Sequence, residues 1–266
     1  MKLGKIIYIA AILILLVIFL VSAVYVLDYY IEAAKQKAEY DELAGIVESI
    51  QNEIPEVTKT TEPSRTDPTE ATEEGGILPE YAPLYAMNDH MVGWMRIDGT
   101  NVNYPVMQTP DSKDYYLYRN FNKEYSVRGC LYARESCDIN TPSDNITIYG
   151  HHMNDGSMFH NLNDYQFREF YEEHPIIQFD TLTERHTYQV FAVFKTSASV
   201  GVGFPYHKFE NAANRQEFDN FVATCKRLAF FDTGITPQYG DKLITLSTCE
   251  YTLENGRFVV VAYRVS

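Results

Sequence analysis

The chain has little with which to build a metal centre or a disulfide framework. Its four cysteines, at positions 130, 137, 225 and 249, include no Cys-x-x-Cys pair and no spacing that suits structural zinc. Positive charge is scarce as well. Twenty-two Lys and Arg stand against 36 Asp and Glu, a net charge of −14, which argues against a nucleic-acid partner. There is one tryptophan, Trp94, which reads as a core residue. One long apolar run is present: residues 6–27 are 22 positions without a charge, preceded by Lys2 and Lys5 and followed by Asp28. At 1.5 Å per residue that is ~33 Å of helix, enough to cross the hydrocarbon core of a bilayer. Basic residues before it and an acid after it predict a signal anchor with the N-terminus inside and the rest outside. A small-residue site at Ser22-Ala23 leaves cleavage open.

After the apolar run, residues 28–51 carry Ile31, Ala34, Leu43, Val47 and Ile50 near a helical period among Glu, Lys, Gln and Ala. This helix either contacts a partner or the following domain, or is a solvated stalk continuing the membrane segment. Residues 53–74 then hold six threonines, three prolines and seven acidic residues against Lys59 and Arg65. Such a composition buries too little apolar surface to order itself and reads as an extended spacer. The expected organisation is a tail at 1–5, a membrane span at 6–27, helix and spacer at 28–78, and one domain at 79–266. About 190 residues are ample for a single core. An aromatic content of 14%, with 21 tyrosines, fits half-buried β-sheet surfaces.

Within that domain a short helix is expected in residues 79–91, then strand, turn at Asp98-Gly99-Thr100, and strand over 95–108. Further strands are expected at 129–135, 145–149, 176–179 and 187–194. Helices are expected at 159–173, stopped by Pro175, and at 214–227, where Cys225 falls on an apolar face. A bridge between Cys130 and Cys137 is possible outside the cell, although two buried thiols are the plainer reading.

The chemistry concentrates near the end. Leu243-Ile244-Thr245-Leu246-Ser247-Thr248-Cys249-Glu250 reads as a strand, Glu254-Asn255-Gly256 as a turn, and Arg257 to Tyr263 as a second strand. The hairpin puts a thiol at the end of one strand and a guanidinium at the start of the next. An ordinary thiol is only a few per cent ionised at pH 7, and a nearby cation favours the reactive thiolate. The proton carrier to go with it lies in Ile146-Thr147-Ile148-Tyr149-Gly150-His151-His152, where a short strand delivers histidine into a loop. Cysteine, histidine and arginine at separate strand ends suggest acyl transfer through a thioester. A metal site built from His151, His152, Asp155 and His160 is the weaker reading, because adjacent histidines on a strand point to opposite faces.

These residues resemble the sortase family, and within it class B. The resemblance is carried by Thr245-Leu246-Ser247-Thr248-Cys249, by Arg257, and by Tyr149-Gly150-His151 followed by Met153-Asn154-Asp155-Gly156-Ser157-Met158-Phe159. It continues in Val92-Gly93-Trp94-Met95-Arg96-Ile97-Asp98-Gly99-Thr100, and in Asn103-Tyr104-Pro105-Val106-Met107-Gln108 leading to Asp114-Tyr115-Tyr116-Leu117. It implies a mostly β fold, a β-barrel with peripheral helices, preceded by the transmembrane helix and stalk. It also implies a cysteine transpeptidase that needs no cofactor and no metal. Its partners would be secreted proteins bearing a C-terminal sorting signal, with peptidoglycan or its lipid-linked precursor as amine acceptor. By alignment with the Tyr-Gly-His motif, His151 rather than His152 is the catalytic imidazole, alongside Cys249 and Arg257. Leu117, Ser247 and Glu250 are the substrate-contact candidates, each with a competing structural role. A pilin-polymerising member would use a protein lysine as the amine instead. A papain-like hydrolase fits less well, since its cysteine precedes its histidine in the chain. A glycine-rich LD-transpeptidase motif is not present around Cys249. A non-enzymatic anchored surface protein would leave the Cys249, His151 and Arg257 set unexplained.

Overall fold

The computed structural model describes residues 2–53 and 76–266, so the expected spacer lies almost wholly outside the described residues. The chain divides into two units, Met1–Leu43 and Ala44–Ser266. The described residues of the first, from Lys2 on, are helical. They belong to α1 (Lys2–Glu53), which continues from the apolar run into the expected helix at 28–51 without a break. No proline interrupts it, and Ala, Glu, Lys and Gln dominate its polar half. The helix is long and apolar enough to cross a membrane, and its large apolar side chains between Ile6 and Leu27 are exposed.

The second unit is built on eight strands: β1 (Met91–Arg96), β2 (Asn103–Met107), β3 (Leu131–Ala133), β4 (Asn145–Tyr149), β5 (Ile176–Thr181), β6 (Thr187–Ser197), β7 (Leu243–Glu250) and β8 (Gly256–Arg264). They close into a barrel in the order β1-β2-β3-β4-β7-β8-β6-β5. Six of the eight pairings are antiparallel; β2 with β3 and β4 with β7 are parallel. Closure removes the exposed strand edges that would otherwise invite further pairing. Helices sit at the periphery: α2 (Ala82–Met87), α3 (Arg168–Glu173) and α4 (Arg215–Leu228).

Strands β6 and β8 are buried on both faces, which explains their continuous apolar runs in place of alternation. Their outer faces meet α4, whose Phe218, Phe221, Val222 and Cys225 join Phe191, Phe194, Val259 and Val261 in one buried cluster. The helix begins where its N-cap dictates: the Asn214 side chain accepts from the Glu217 amide at 3.1 Å, and Glu217 reaches back to the Ala213 amide at 2.9 Å.

Two expectations change in detail. Strand β1 begins at Met91, four residues before the expected 95, and takes Gly93 and Trp94 into the barrel. Glycine is required there, since a Cβ at Gly93 would lie 2.1 Å from the Asp180 carbonyl oxygen on β5. Trp94 is a core residue, its Nε1 donating to Asn103 Oδ1 at 2.7 Å. The expected helix at 159–173 is divided: residues 160–166 form a 3₁₀ helix, Phe167 is extended, and only 168–173 are α-helical. The buried residues Phe159, Leu162 and Tyr165 recur every three positions, the period of a 3₁₀ turn and not of an α-helix.

Candidate active site

The site is assembled by strand register. Antiparallel pairing of β7 with β8 sets Cys249 directly opposite Arg257. Parallel pairing of β4 with β7 sets Tyr149 opposite Ser247, and the Gly150 amide extends the ladder to the Ser247 carbonyl at 3.2 Å. His151 and Cys249 are therefore each two residues past the same rung, on strands that leave the barrel in the same direction.

A tight turn closes the hairpin. Asn255 takes the left-handed conformation at φ 49°, a conformation asparagine tolerates better than most residues. Gly256 follows because a Cβ there would lie 2.3 Å from the Glu250 carbonyl oxygen and 2.8 Å from its Oε2. The Glu250 carboxylate, 4% exposed, organises this turn. Its Oε2 accepts from the Thr252 and Leu253 amides at 3.0 and 3.1 Å, and its Oε1 accepts from the Thr252 hydroxyl and lies 2.9 Å from Lys195 Nζ on β6. Burial pushes the carboxyl upward, but Thr252 and Lys195 together outweigh it and hold it below the usual range.

Cys249, His151 and Arg257 line one groove of about 270 Å³, together with Leu117, Ser247 and Tyr206. Five of the six expected site residues thus share one cavity. Glu250 is not among its lining residues; its carboxylate is committed to the turn beside Cys249. Of the four thiols, Cys249 alone is part-exposed, whereas Cys130, Cys137 and Cys225 are buried. The open question of a bridge between Cys130 and Cys137 resolves to two buried thiols, and burial pushes Cys137 up to about 11.

His151 is positioned from outside its own strand. Its Nε2 donates to the Leu117 carbonyl at 2.7 Å, and the Tyr118 ring lies 5.5 Å away. A carbonyl only accepts, so Nε2 carries the proton and Nδ1 is the basic nitrogen of the neutral ring. Burial lowers the His151 pKa below its ordinary value, against the opposing pull of the Leu117 carbonyl. The loop that carries His151 is clamped by Arg128, whose Nε and Nη2 reach Asp155 Oδ2 at 2.9 and 2.8 Å. The Phe159 amide closes the same loop onto the His151 carbonyl at 2.9 Å.

Across the groove the Arg257 guanidinium donates to the Gly256 carbonyl at 2.9 Å. Ser247 is 1% exposed, and its hydroxyl is 2.6 Å from that of Tyr206. Tyr206, Lys195 and Arg128 are site-supporting residues that no sequence pattern singled out. Tyr206 sits in the long connection between β6 and α4, where no local motif marks it.

Comparison with known proteins follows this geometry closely. The family described as sortase domain matches residues 95–265. Sortase B of Staphylococcus aureus is 29% identical over 252 residues, covering 94% of this chain and 93% of that protein. Sortase B of Listeria monocytogenes is 30% identical over 188 residues, covering 70% and 74%. The solved Staphylococcus aureus sortase B–substrate complex superposes with a TM-score of 0.75 at 28% identity, covering 89% of this chain and 99% of that one. With a barrel, a Cys-His-Arg groove and these relatives in agreement, the chain belongs to the sortase family, class B, and is a cysteine transpeptidase.

Proposed function

We propose that this transpeptidase cleaves the C-terminal sorting signal of secreted proteins after a threonine and joins the upstream part to an amine of the cell wall, peptidoglycan or its lipid-linked precursor. The observation that carries the reading is the shared groove of Cys249, His151 and Arg257. The substrate complex of the Staphylococcus aureus relative adds weight to a peptide in that groove.

Cys249 Sγ attacks the scissile carbonyl carbon. The amide nitrogen departs with a proton from His151, leaving a thioester on Cys249. Arg257 stabilises the charge that develops on the carbonyl oxygen, a task suited to a permanent cation with several donors. In the second half an amine attacks the thioester and His151 takes up the amine's proton. Leu117 and Ser247 contact the sorting peptide from the groove wall. Glu250 acts at one remove by holding the turn between Cys249 and Arg257. Because burial lowers the His151 pKa, the protonated acid is a minority species at pH 7, and slow turnover is expected. Residues 6–27 would anchor the enzyme, with 1–5 inside, 28–78 as a tether and the barrel outside the cell.

The test is intact-mass measurement of the full chain in detergent micelles with a library of threonine-containing sorting peptides, unmodified protein beside Cys249→Ala. A covalent adduct bearing the N-terminal part of one peptide, absent from the variant, is expected. No adduct from folded protein with a titratable Cys249 would sink the reading.

A further inference from the structure

Between β6 and α4 the chain makes a short projection whose apolar tip the reaction described above leaves unused. It starts at Ser197, the last residue of β6, and returns at Phe204, whose ring packs against Phe194 and Phe221 of the α4 cluster at centroid distances of 6.1 and 5.7 Å. The Phe204 amide donates to Thr196 Oγ1 at 2.8 Å, and a Cβ at Gly203 would lie 2.1 Å from the Ser197 carbonyl oxygen, so the two legs stand in contact. At the tip Gly201 takes φ 76°. Val200 and Val202 on either side are 101% and 74% exposed, more than any other Val, Ile, Leu or Met of residues 76–266. A closed loop thus holds two aliphatic side chains out in solvent instead of folding them back onto the barrel.

The projection is fastened to the hairpin that carries Cys249 and Arg257. The Ala198 amide donates to the Asn255 carbonyl at 2.9 Å, the Ser197 hydroxyl to the Glu254 carbonyl at 2.8 Å, and Asn255 Nδ2 to Ser199 Oγ at 2.9 Å. Ala198 itself lines the groove with Cys249 and Arg257. The turn it is fastened to adds exposed Tyr251 and Leu253. Charge sets the same region apart. Residues 185–209, which include the projection, contain no Asp or Glu, although the chain has 36 among 266 residues and a net charge of −14. Exposed Lys208 follows the projection. A protein of that net charge is repelled by a surface of negative headgroups, and approaches it best where acids are missing.

We propose that the Val200–Val202 tip inserts into the headgroup boundary of the lipid bilayer that residues 6–27 cross, and so holds the groove at the lipid surface. The proposal rests on the reading of residues 6–27 as the anchor. An exposed apolar patch marks a contact with protein or with membrane. Two valines around a glycine offer far less than the roughly 800 Å² that a stable protein interface takes from each partner. A bilayer needs no matching shape, and its boundary takes aliphatic side chains with tyrosine beside them. Weak insertion suffices, because the covalent anchor keeps the barrel at high local concentration over the same surface. The consequence is that Cys249 is presented to substrates held at that surface, the lipid-linked amine acceptor among them under the function proposed above.

The full chain is reconstituted into vesicles of equal parts phosphatidylcholine and phosphatidylglycerol, with or without bromine on the acyl chains, and flotation establishes that it is anchored. Trp94 is buried, so Val200→Trp adds one reporter on the tip, while Tyr239→Trp places one at an exposed site beside Arg215 at the start of α4. Acyl-chain bromine quenches a tryptophan that reaches the hydrocarbon boundary. The added emission of Val200→Trp is expected to fall about twofold or more on brominated vesicles, and that of Tyr239→Trp much less. Adding Val202→Asp to the Val200→Trp chain puts a charge on the tip and should abolish the quenching. In detergent micelles Val200→Asp should form adduct with a soluble sorting peptide within about twofold of the unmodified rate, since the side chain does not line the groove. Unquenched, water-like emission from Val200→Trp would overturn the proposal, as would equal quenching at both sites. Unquenched emission that moves to the blue as protein density rises would put a second copy of the chain in place of the bilayer. A chain that fails to float would sink the anchor reading and the tip contact with it, whereas an unmodified protein that forms no adduct would sink only the transpeptidation reading.

Discussion

The two halves of the site are held in different ways. Cys249 and Arg257 stand on one hairpin, eight residues apart, and an unbroken ladder of eight paired positions fixes them against each other. His151 stands in a loop. Its ring answers to the Leu117 carbonyl 34 positions away, and its loop to an Arg128–Asp155 pair that spans 27. Cys249 and Arg257 are thus set by local pairing that forms with the barrel. His151 is set by a few side chains reaching across loops, so its half of the site is the more easily deranged.

The largest effect expected from breaking this comparison is on the hairpin side, and it should touch chemistry alone. Arg257→Ala removes a side chain whose guanidinium hydrogen-bonds the Asn255 and Gly256 carbonyls of its own turn, while the backbone pair with Cys249 stays. Acylation measured as adduct formation should fall roughly 10²- to 10³-fold, the usual loss of a donor aimed at a developing oxyanion. The melting temperature should move by no more than about 2 °C, as for a part-exposed substitution. Arg257→Lys keeps the charge but not the planar fork, and should recover only part of the rate. A large drop in melting temperature would show that the hairpin depends on Arg257 for its fold, erasing the contrast.

On the loop side, fold and chemistry should fall together. The Arg128 side chain is 2% exposed and Asp155 14%, so Arg128→Met leaves a carboxylate largely out of water without its partner. Breaking a buried pair from one side costs roughly 3 kcal/mol. Thermal melting should register that loss, and acylation should drop about tenfold as His151 loses its registration. A destabilised protein with undiminished acylation would show that the clamp holds the loop but not the imidazole.

The same contrast governs what could be read from the sequence. The hairpin was legible because β-branched runs, a Glu-Asn-Gly turn and the spacing of Cys249 to Arg257 are all short-range signals. The helix expected at 214–227 was legible for similar reasons, whereas the barrel was implied only by the resemblance, since periodicity shows strands but not their closure. His151 was singled out as the proton carrier by its strand-to-loop position, but its preference over His152 rested on the resemblance, since nothing local distinguishes two adjacent histidines. Arg128, Lys195 and Tyr206 carry no local pattern, because their partners Asp155, Glu250 and Ser247 are 27, 55 and 41 residues away. The turn role of Glu250 was foreseen only as the alternative to a substrate contact. The division of 159–173 escaped because a helical reading looks for apolar residues near one face and does not distinguish a period of 3.0 from one of 3.6 over two turns.

The smallest predicted effect sharpens the comparison through protons. His151, His152, His186 and His207 are all held below the ordinary histidine pKa, burial being the first cause in each. The unfolded chain, near 6.5, takes up protons in a range where these folded imidazoles do not. Stability contributed by each is therefore intact above about pH 6.5 and is lost as pH falls towards the lowered folded value. Glu80, Asp155 and Glu250 are held below the carboxylate range, so their contribution is lost only in a lower window, beneath about pH 4.5. Asp180 is raised by burial and works in the opposite sense there. A melt series from pH 7.5 to 5.0 should thus report mainly the histidines, as a fall of a few degrees. Two of the four lie in the loop after β4 and none in the β7–β8 hairpin. Hydrogen exchange at pH 5.0 against 7.5 should accordingly lose protection at the Phe159 amide, which bonds the His151 carbonyl, before the Thr248 to Arg257 ladder loosens. Equal loss at both places would mean that the two halves of the site open as one unit, and that the loop is no weaker than the hairpin it serves.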